Sequence, residues 1–202
     1  MGITIGAGRF TNSGTLRDGL SMSDGSNYLD NSKGLIYGGI QMLGGNDTVL
    51  GGRLGEVIDG GTGNDRINGG RGNDKIIGGE GYDILTGGEG NDLFVFAAAP
   101  LATNADTIRD FASADDTIQL RLNYFAGFAG RGKLSSDALH FGSAAADAED
   151  RIIYHKATGA LYYDSDGTGA AAQVKIATRA TRPSWSWQIS SSPDRPACLS
   201  AV

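Results

Sequence analysis

The stretch GGTGNDRINGGRGNDKIIGG, Gly60 to Gly79, decides the fold. It repeats two glycines, a spacer, a third glycine and an Asp every nine residues. Glycine loses more conformational freedom on folding than any other residue. Carboxylates stacked in a row repel one another. A chain that repeats both features in register needs something that offsets both.

The period extends outward from this stretch. From Met42 the chain divides without a gap into MLGGNDTVL, GGRLGEVID, GGTGNDRIN, GGRGNDKII, GGEGYDILT and GGEGNDLFV. The last four keep Gly at positions 1, 2 and 4 and Asp at position 6. The first two are degenerate: Glu56 stands where Asp is expected and Leu54 where the third glycine is expected. Position 8 is apolar throughout, as Val49, Ile58, Ile67, Ile76, Leu85 and Phe94. A fixed short period of this kind is the mark of a solenoid, in which each unit buries its apolar face only by stacking on its neighbours.

Upstream, TNSGTLRDGLSMSDGSNYL from Thr11 and DNSKGLIYGGIQMLGGNDTVL from Asp30 resemble each other at a spacing of about two nonapeptides. They read as irregular coils of the same solenoid. Downstream, FVFAAAP closes the repeats with Pro100 as a stop. DTIRDF (106–111) and DDTIQL (115–120) alternate at period two and predict short strands. RIIYHKATGALYYDSDGTG predicts a hairpin around Thr158 and Gly159 with a second turn at Asp164 to Gly169, and Ala144 to Ala148 predicts a loop. Both Trp, the single Cys and three of the four Pro lie after Thr178. The expected division is irregular coils over 1–41, repeats over 42–95, a β-rich cap over 96–178 and an atypical, disordered tail over 179–202.

Composition narrows the function. The chain has 202 residues with a formal net charge of −6, and residues 42–95 hold nine Asp/Glu against four Lys/Arg. This argues against nucleic acid or an anionic membrane surface as partner. One Cys excludes an internal disulfide framework. No apolar run is long enough for a transmembrane helix. MGITIGAGRF lacks the basic and apolar regions of a cleaved signal peptide.

Within the repeat, glycine at positions 2 and 4 allows positive φ, which other residues resist. With the first six residues as a turn and the last three as a short strand, such a turn aims carbonyl oxygens inward, and the Asp adds a carboxylate. Six to eight oxygens of this kind suit Ca²⁺, whereas Mg²⁺ wants a stricter octahedron that keeps water. Clustered His or Cys for zinc or iron is missing. Carboxylates on coils about 4.8 Å apart repel by ~3–4 kcal/mol at an effective dielectric of about 20. A divalent cation between coils reverses that sign. The expectation is a segment mostly disordered without calcium and a parallel β-roll with it.

GGTGNDRIN, GGRGNDKII, GGEGYDILT and GGEGNDLFV also resemble the calcium-binding repeat of the RTX (hemolysin-type) proteins, and the resemblance extends through the following segment to about residue 178. It implies an all-β, right-handed parallel β-roll with two nonapeptides per coil and one Ca²⁺ between turns 18 residues apart. One turn would give oxygens from positions 2, 4 and 6 and the next from positions 1, 3 and 6, with only Asp using its side chain. Carried over, one site is Gly61, Gly63 and Asp65 with Gly78, Glu80 and Asp83. A second, on the opposite edge, is Gly70, Gly72 and Asp74 with Gly87, Glu89 and Asp92. A third pairs Leu43, Gly45 and Asp47 with Gly60, Thr62 and Asp65. At least two ions are thus expected over 60–95. The resemblance implies a secreted bacterial protein exported by the type I secretion apparatus through an uncleaved C-terminal signal. The ending SPDRPACLSAV departs from that signal's pattern and fits a changed reading frame or a foreign tail.

The remaining candidates carry less. DSDGTG (164–169) lacks the spacing and closing Glu of an EF-hand and reads as a turn. His140 and His155 read as ordinary residues, and Tyr154, Tyr162 and Tyr163 as a sheet cover. HExxH, GxSxG and the P-loop Lys are missing, so no enzyme is expected in this chain. The alternatives are the C-terminal module of a secreted metalloprotease, lipase or mannuronan epimerase, and a surface adhesion or ice-binding solenoid. The latter wants identical residues at one outward position. Thr48, Val57, Arg66, Lys75, Ile84 and Leu93 are too mixed for that.

Overall fold

The computed structural model describes residues 2–128 and 134–180 and the backbone of 198–200. The repeats form a β-solenoid because consecutive nonapeptides lie in opposite walls. Every second nonapeptide therefore stacks in register, and Ile67 pairs with both Val49 and Leu85. The other wall pairs Ile76 with Ile58 and Phe94. All pairings from Ile3 to Leu120 along the two walls are parallel. The step is 18 residues within the regular repeats and varies outside them: it is longer where Arg9 pairs with Tyr28, Leu20 with Ile40, Ile84 with Thr107 and Leu93 with Thr117, and shorter by one where Ile3 pairs with Leu20.

Position 8 supplies the core from both walls. One column runs Leu20, Ile40, Ile58, Ile76, Phe94 and Ile118; the other runs Leu29, Val49, Ile67, Leu85 and Ile108. All are buried. The irregular upstream coils carry an extra side, where Thr15–Leu16 pairs with Leu35–Ile36.

The nine-residue unit divides differently from the expectation. Strands span Val57–Thr62, Arg66–Arg71, Lys75–Glu80 and Ile84–Glu89. Positions 1 to 3 therefore belong to the strand, and only positions 4 to 6 turn the corner. The cause is the glycine pair. Gly61 lies directly beneath Gly79 in the ladder, and a Cβ on Gly79 would collide with the Gly61 carbonyl oxygen. Without side chains there, the ladder continues through both glycines.

Downstream, Asp106–Ile108 and Thr117–Leu120 each continue one wall. Val174–Arg179 then pairs in parallel with Asp106–Ile108 and joins the antiparallel hairpin Ile152–His155 and Ala160–Tyr163. The hairpin turn is where the sequence placed it, around Thr158 and Gly159. Phe111, Phe125, Tyr154, Leu161, Tyr163 and Ile176 close the open end of the core. Phe94 and Phe111 meet at 6.1 Å, and Phe125 packs edge-on against Tyr163 at 5.1 Å. The reading of 179–202 as a disordered tail falls mostly outside the described residues. Within them, Arg179 ends a strand and Cys198–Ser200 pairs antiparallel with Thr117–Gln119.

Candidate metal centre

The turns at the two corners of the roll carry the expected residues in two rows. One row holds Asp47, Asp65 and Asp83; the other holds Glu56, Asp74 and Asp92. Each Asp is at least 98% buried. One carboxylate oxygen of each is satisfied in the same way by the coil before it. Asp47 N–H donates to Asp65 Oδ1 at 2.8 Å, Asp65 N–H to Asp83 Oδ1 at 2.8 Å and Asp74 N–H to Asp92 Oδ1 at 2.9 Å. The other oxygen, Oδ2, has no hydrogen-bond partner in Asp47, Asp65, Asp74, Asp83 or Asp92. Five buried, unpartnered carboxylate oxygens in register are not tolerable for a metal-free protein at neutral pH.

The surrounding oxygens make the demand sharper. Glycines at positions 2 and 4 take the positive φ that the sequence predicts: 97° and 122° at Gly61 and Gly63, and 103° and 104° at Gly70 and Gly72. This aims their carbonyls at the next coil, where the Gly61 and Gly63 oxygens face the Cα atoms of Gly79 and Gly81. A Cβ on Gly60 would run into Asp65 Oδ2 and Gly78 O together, and one on Gly69 into Asp74 Oδ2 and Gly87 O. The position-1 carbonyl of one turn and the carboxylate of the turn 18 residues earlier thus converge on one spot. The position-3 carbonyls of Thr62, Glu80 and Glu89 lie at the same layers and accept from Gly45, Gly63 and Gly72 N–H at 2.8 Å. The Glu80 and Glu89 side chains are exposed, and Glu89 pairs with Arg71 at 3.4 Å. Their part at the turn can only be through the backbone.

A site of two carboxylates and several carbonyls has the hard-oxygen donor set of Ca²⁺. It also explains why no group of three or more His, Cys, Asp or Glu forms among the described residues. Without a cation, burial and neighbouring carboxylates raise the acids: Asp65 to about 7, helped by Asp83 and Asp47, and Asp74 to about 7, helped by Glu56 and Asp92. Burial takes Asp83 to about 6.

Leu43 occupies a position-2 site at φ 70°, the one described non-glycine residue at positive φ, and its carbonyl faces Gly61 as Gly61's faces Gly79. The Asp47 turn therefore has the form of the regular ones. The Glu56 turn does not. Neither Gly52 nor Leu54 has positive φ, and both Glu56 oxygens are engaged, by Gly52 N–H at 3.1 Å and Asn31 Nδ2 at 3.2 Å.

Two features escaped the sequence reading. The acidic rows continue past the repeats, because Asp83 N–H donates to Asp106 Oδ1 at 3.2 Å and Asp92 N–H to Asp116 Oδ1 at 3.0 Å. The signal was present: Asp106-Thr107-Ile108 and Asp116-Thr117-Ile118 repeat the last Asp-x-apolar of the unit without its glycines. The position-5 Asn residues form an outer row, in which Asn46 Oδ1 accepts from Asn64 N–H and Asn64 Oδ1 from Tyr82 N–H, both at 2.7 Å. At DSDGTG, Asp164 Oδ1 accepts from Asp166 and Gly167 N–H, the turn that the sequence predicts.

A family model for the RTX calcium-binding nonapeptide repeat, in four copies, matches residues 59–94. No curated protein matches the chain. Among solved structures, the solution structure of the AlgE6R3 subunit from the Azotobacter vinelandii mannuronan C5-epimerase is similar at 29% identity and a TM-score of 0.39. The alignment covers 64% of this chain and 66% of that one.

Proposed function

Since residues 59–94 make this chain an RTX calcium-binding nonapeptide repeat protein, we propose that calcium closes its turns and thereby folds the roll. The observation that carries this reading is the set of buried Asp Oδ2 atoms without partners, of which those of Asp65 and Asp74 converge with the carbonyl oxygens of Gly78 and Gly87. Only a cation satisfies so many acceptors at once. Three layers have the full donor set: Leu43, Gly45 and Asp47 with Gly60, Thr62 and Asp65; Gly61, Gly63 and Asp65 with Gly78, Glu80 and Asp83; and Gly70, Gly72 and Asp74 with Gly87, Glu89 and Asp92. The layer between Glu56 and Asp74 is left out, because Glu56 already has its partners.

Calcium-dependent folding suits a protein that crosses a membrane unfolded and meets calcium outside. We therefore read the chain as a secreted binding or structural module rather than an enzyme, exported by the type I route. Among the described residues, no helix is long and apolar enough to cross a membrane.

The test is far-UV circular dichroism of the full chain, titrated with Ca²⁺ from EGTA, with Mg²⁺ as control. A cooperative gain of β signal with Ca²⁺ alone is expected, blunted in Asp74→Ala and Asp83→Ala. A spectrum fully formed in EGTA and unmoved by calcium would overturn the reading.

A further inference from the structure

The corner that carries Asp47, Asp65 and Asp83 has one earlier member, and it is not acidic. Asn27 N–H donates to Asp47 Oδ1 at 2.6 Å, as Asp47 N–H does to Asp65 and Asp65 N–H to Asp83. Asn27 is therefore the position-6 residue of the preceding coil. Ser23 and Gly25 stand at positions 2 and 4 of its turn, and Gly25 has φ 102°.

The Asn27 side chain is fully used. Its Nδ2 donates to the carbonyls of Ser23 at 2.5 Å and Gly25 at 2.6 Å, and its Oδ1 accepts from Gly8 N–H at 2.8 Å. These are the two carbonyls whose counterparts in the later turns are Gly61 O and Gly63 O. In those turns the corresponding side-chain atom is an oxygen, Asp65 Oδ2, with no partner. One atom makes the difference: an amide nitrogen supplies two hydrogens to the carbonyls, whereas a carboxylate oxygen adds a third acceptor that only a cation can reconcile.

The other corner shows the same neutral solution. Asn12 Nδ2 donates to Asn31 Oδ1 at 2.7 Å, and Asn31 Nδ2 donates to Glu56. Asn12, Asn27 and Asn31 are all at least 95% buried. Among the described residues before Asp47, no buried side-chain oxygen or nitrogen lacks a partner.

We propose that the Asn27 amide takes the place of the ion in its turn, so that the coils over about residues 9–50 fold without calcium. They then present Thr48–Leu50 and the Asp47 turn as a ready edge on which the repeats stack when calcium arrives. This rests on the calcium reading of the Asp turns. It adds a direction to folding, from the amide-closed coils toward the cap. A preformed edge removes the costly first step of a stack in which each coil is held only by its neighbours.

The experiment is native-state hydrogen exchange of the full chain in EGTA and in calcium, with calorimetric counting of bound Ca²⁺, for wild type, Asn27→Asp and Asn27→Ala. In EGTA the wild type should protect the amides of Met22 and 28–31, whose acceptors include Gln41, Gly8 and Leu50 of the upstream coils, while those of 57–94 exchange freely. Asn27→Asp should lose that protection on the order of 100-fold in EGTA, regain it in calcium and bind one more ion than wild type. Asn27→Ala should lose protection without gaining an ion. Equal exchange across 28–31 and 57–94 in wild-type EGTA samples, or an unchanged ion count in Asn27→Asp, would overturn the proposal. A wild type that binds no calcium at all would instead remove the reading beneath it.

Discussion

At the scale of the residue, the protein turns on which atom sits at the end of a four-atom side chain. Asp65 and Asn27 occupy equivalent places, accept the same kind of backbone hydrogen bond through Oδ1 and differ only at the second atom. The oxygen creates a need for a cation; the nitrogen removes it. The same buried carboxylates couple stability to pH. Asp65 and Asp74 in the metal-free roll are raised to about 7, first by burial and then by neighbouring carboxylates. A raised acid binds more protons folded than unfolded between the unfolded value near 4 and the folded value near 7. The metal-free roll should therefore be most stable at or below about pH 4 and lose stability as pH rises from there to about 7. With calcium the dependence should reverse, because protons displace the ion, and affinity should fall about tenfold per unit below pH 6 for each site that takes up one proton. The far-UV circular dichroism β signal followed from pH 3.5 to 8, in EGTA and in calcium, checks both signs. Parallel slopes in the two series would rule out the carboxylate sites.

At the scale of the element, the glycines make strand and turn compatible. Gly79 pairs with Gly61 inside a ladder yet has φ 111°, a region that an L side chain rarely adopts. A methyl group there would also meet the Gly61 carbonyl. Gly79→Ala is expected to combine backbone strain of about 1–3 kcal/mol with displacement of one calcium layer. It should raise the calcium midpoint of the circular dichroism transition severalfold and lose one bound ion by calorimetry. Gly14→Ala serves as a control, because it would meet only the edge of the Asn12 side chain and has ordinary φ.

At the scale of the whole molecule, the roll is a stack held by two apolar columns and closed at one end by the cap. Ile76 lies in the middle of one column, wholly buried between Ile58 and Phe94. Ile76→Ala should destabilise the calcium-loaded protein by about 2–5 kcal/mol, read from thermal unfolding in saturating calcium. Ion binding and stacking are linked, so more calcium should be needed to fold the variant. A calcium midpoint unchanged despite a lowered Tm would mean that the ions bind turns which form without the core. The cap serves the stack through Phe111, Tyr154 and Leu161, which cover the core beyond Ile108 and Ile118.

The sequence by itself determined the period, the inward column and the glycines at positive φ, because each depends on interactions repeated every nine or eighteen residues. Gly61, Gly63, Gly70 and Gly72 were legible from their spacing alone. The pairing of Asp65 with Asp83 and of Asp74 with Asp92 came instead from the resemblance to RTX repeats, because a period of nine does not by itself say how many units make one coil. Other features depended on contacts with no period. That strands run through positions 1 to 3 follows from glycine facing glycine across coils. That Asp106 and Asp116 extend the acidic rows follows from coils of 23 and 24 residues returning to the same register. That Glu56 is satisfied without a metal follows from Asn31, 25 residues away. The tertiary structure alone decided the role of Asn27, because an amide reads as a poor match to the repeat until its nitrogen is seen against the carbonyls of Ser23 and Gly25. Periodic contacts can be read from a chain because every unit states them again; single contacts between unlike segments are stated once, and only folding brings their two halves together.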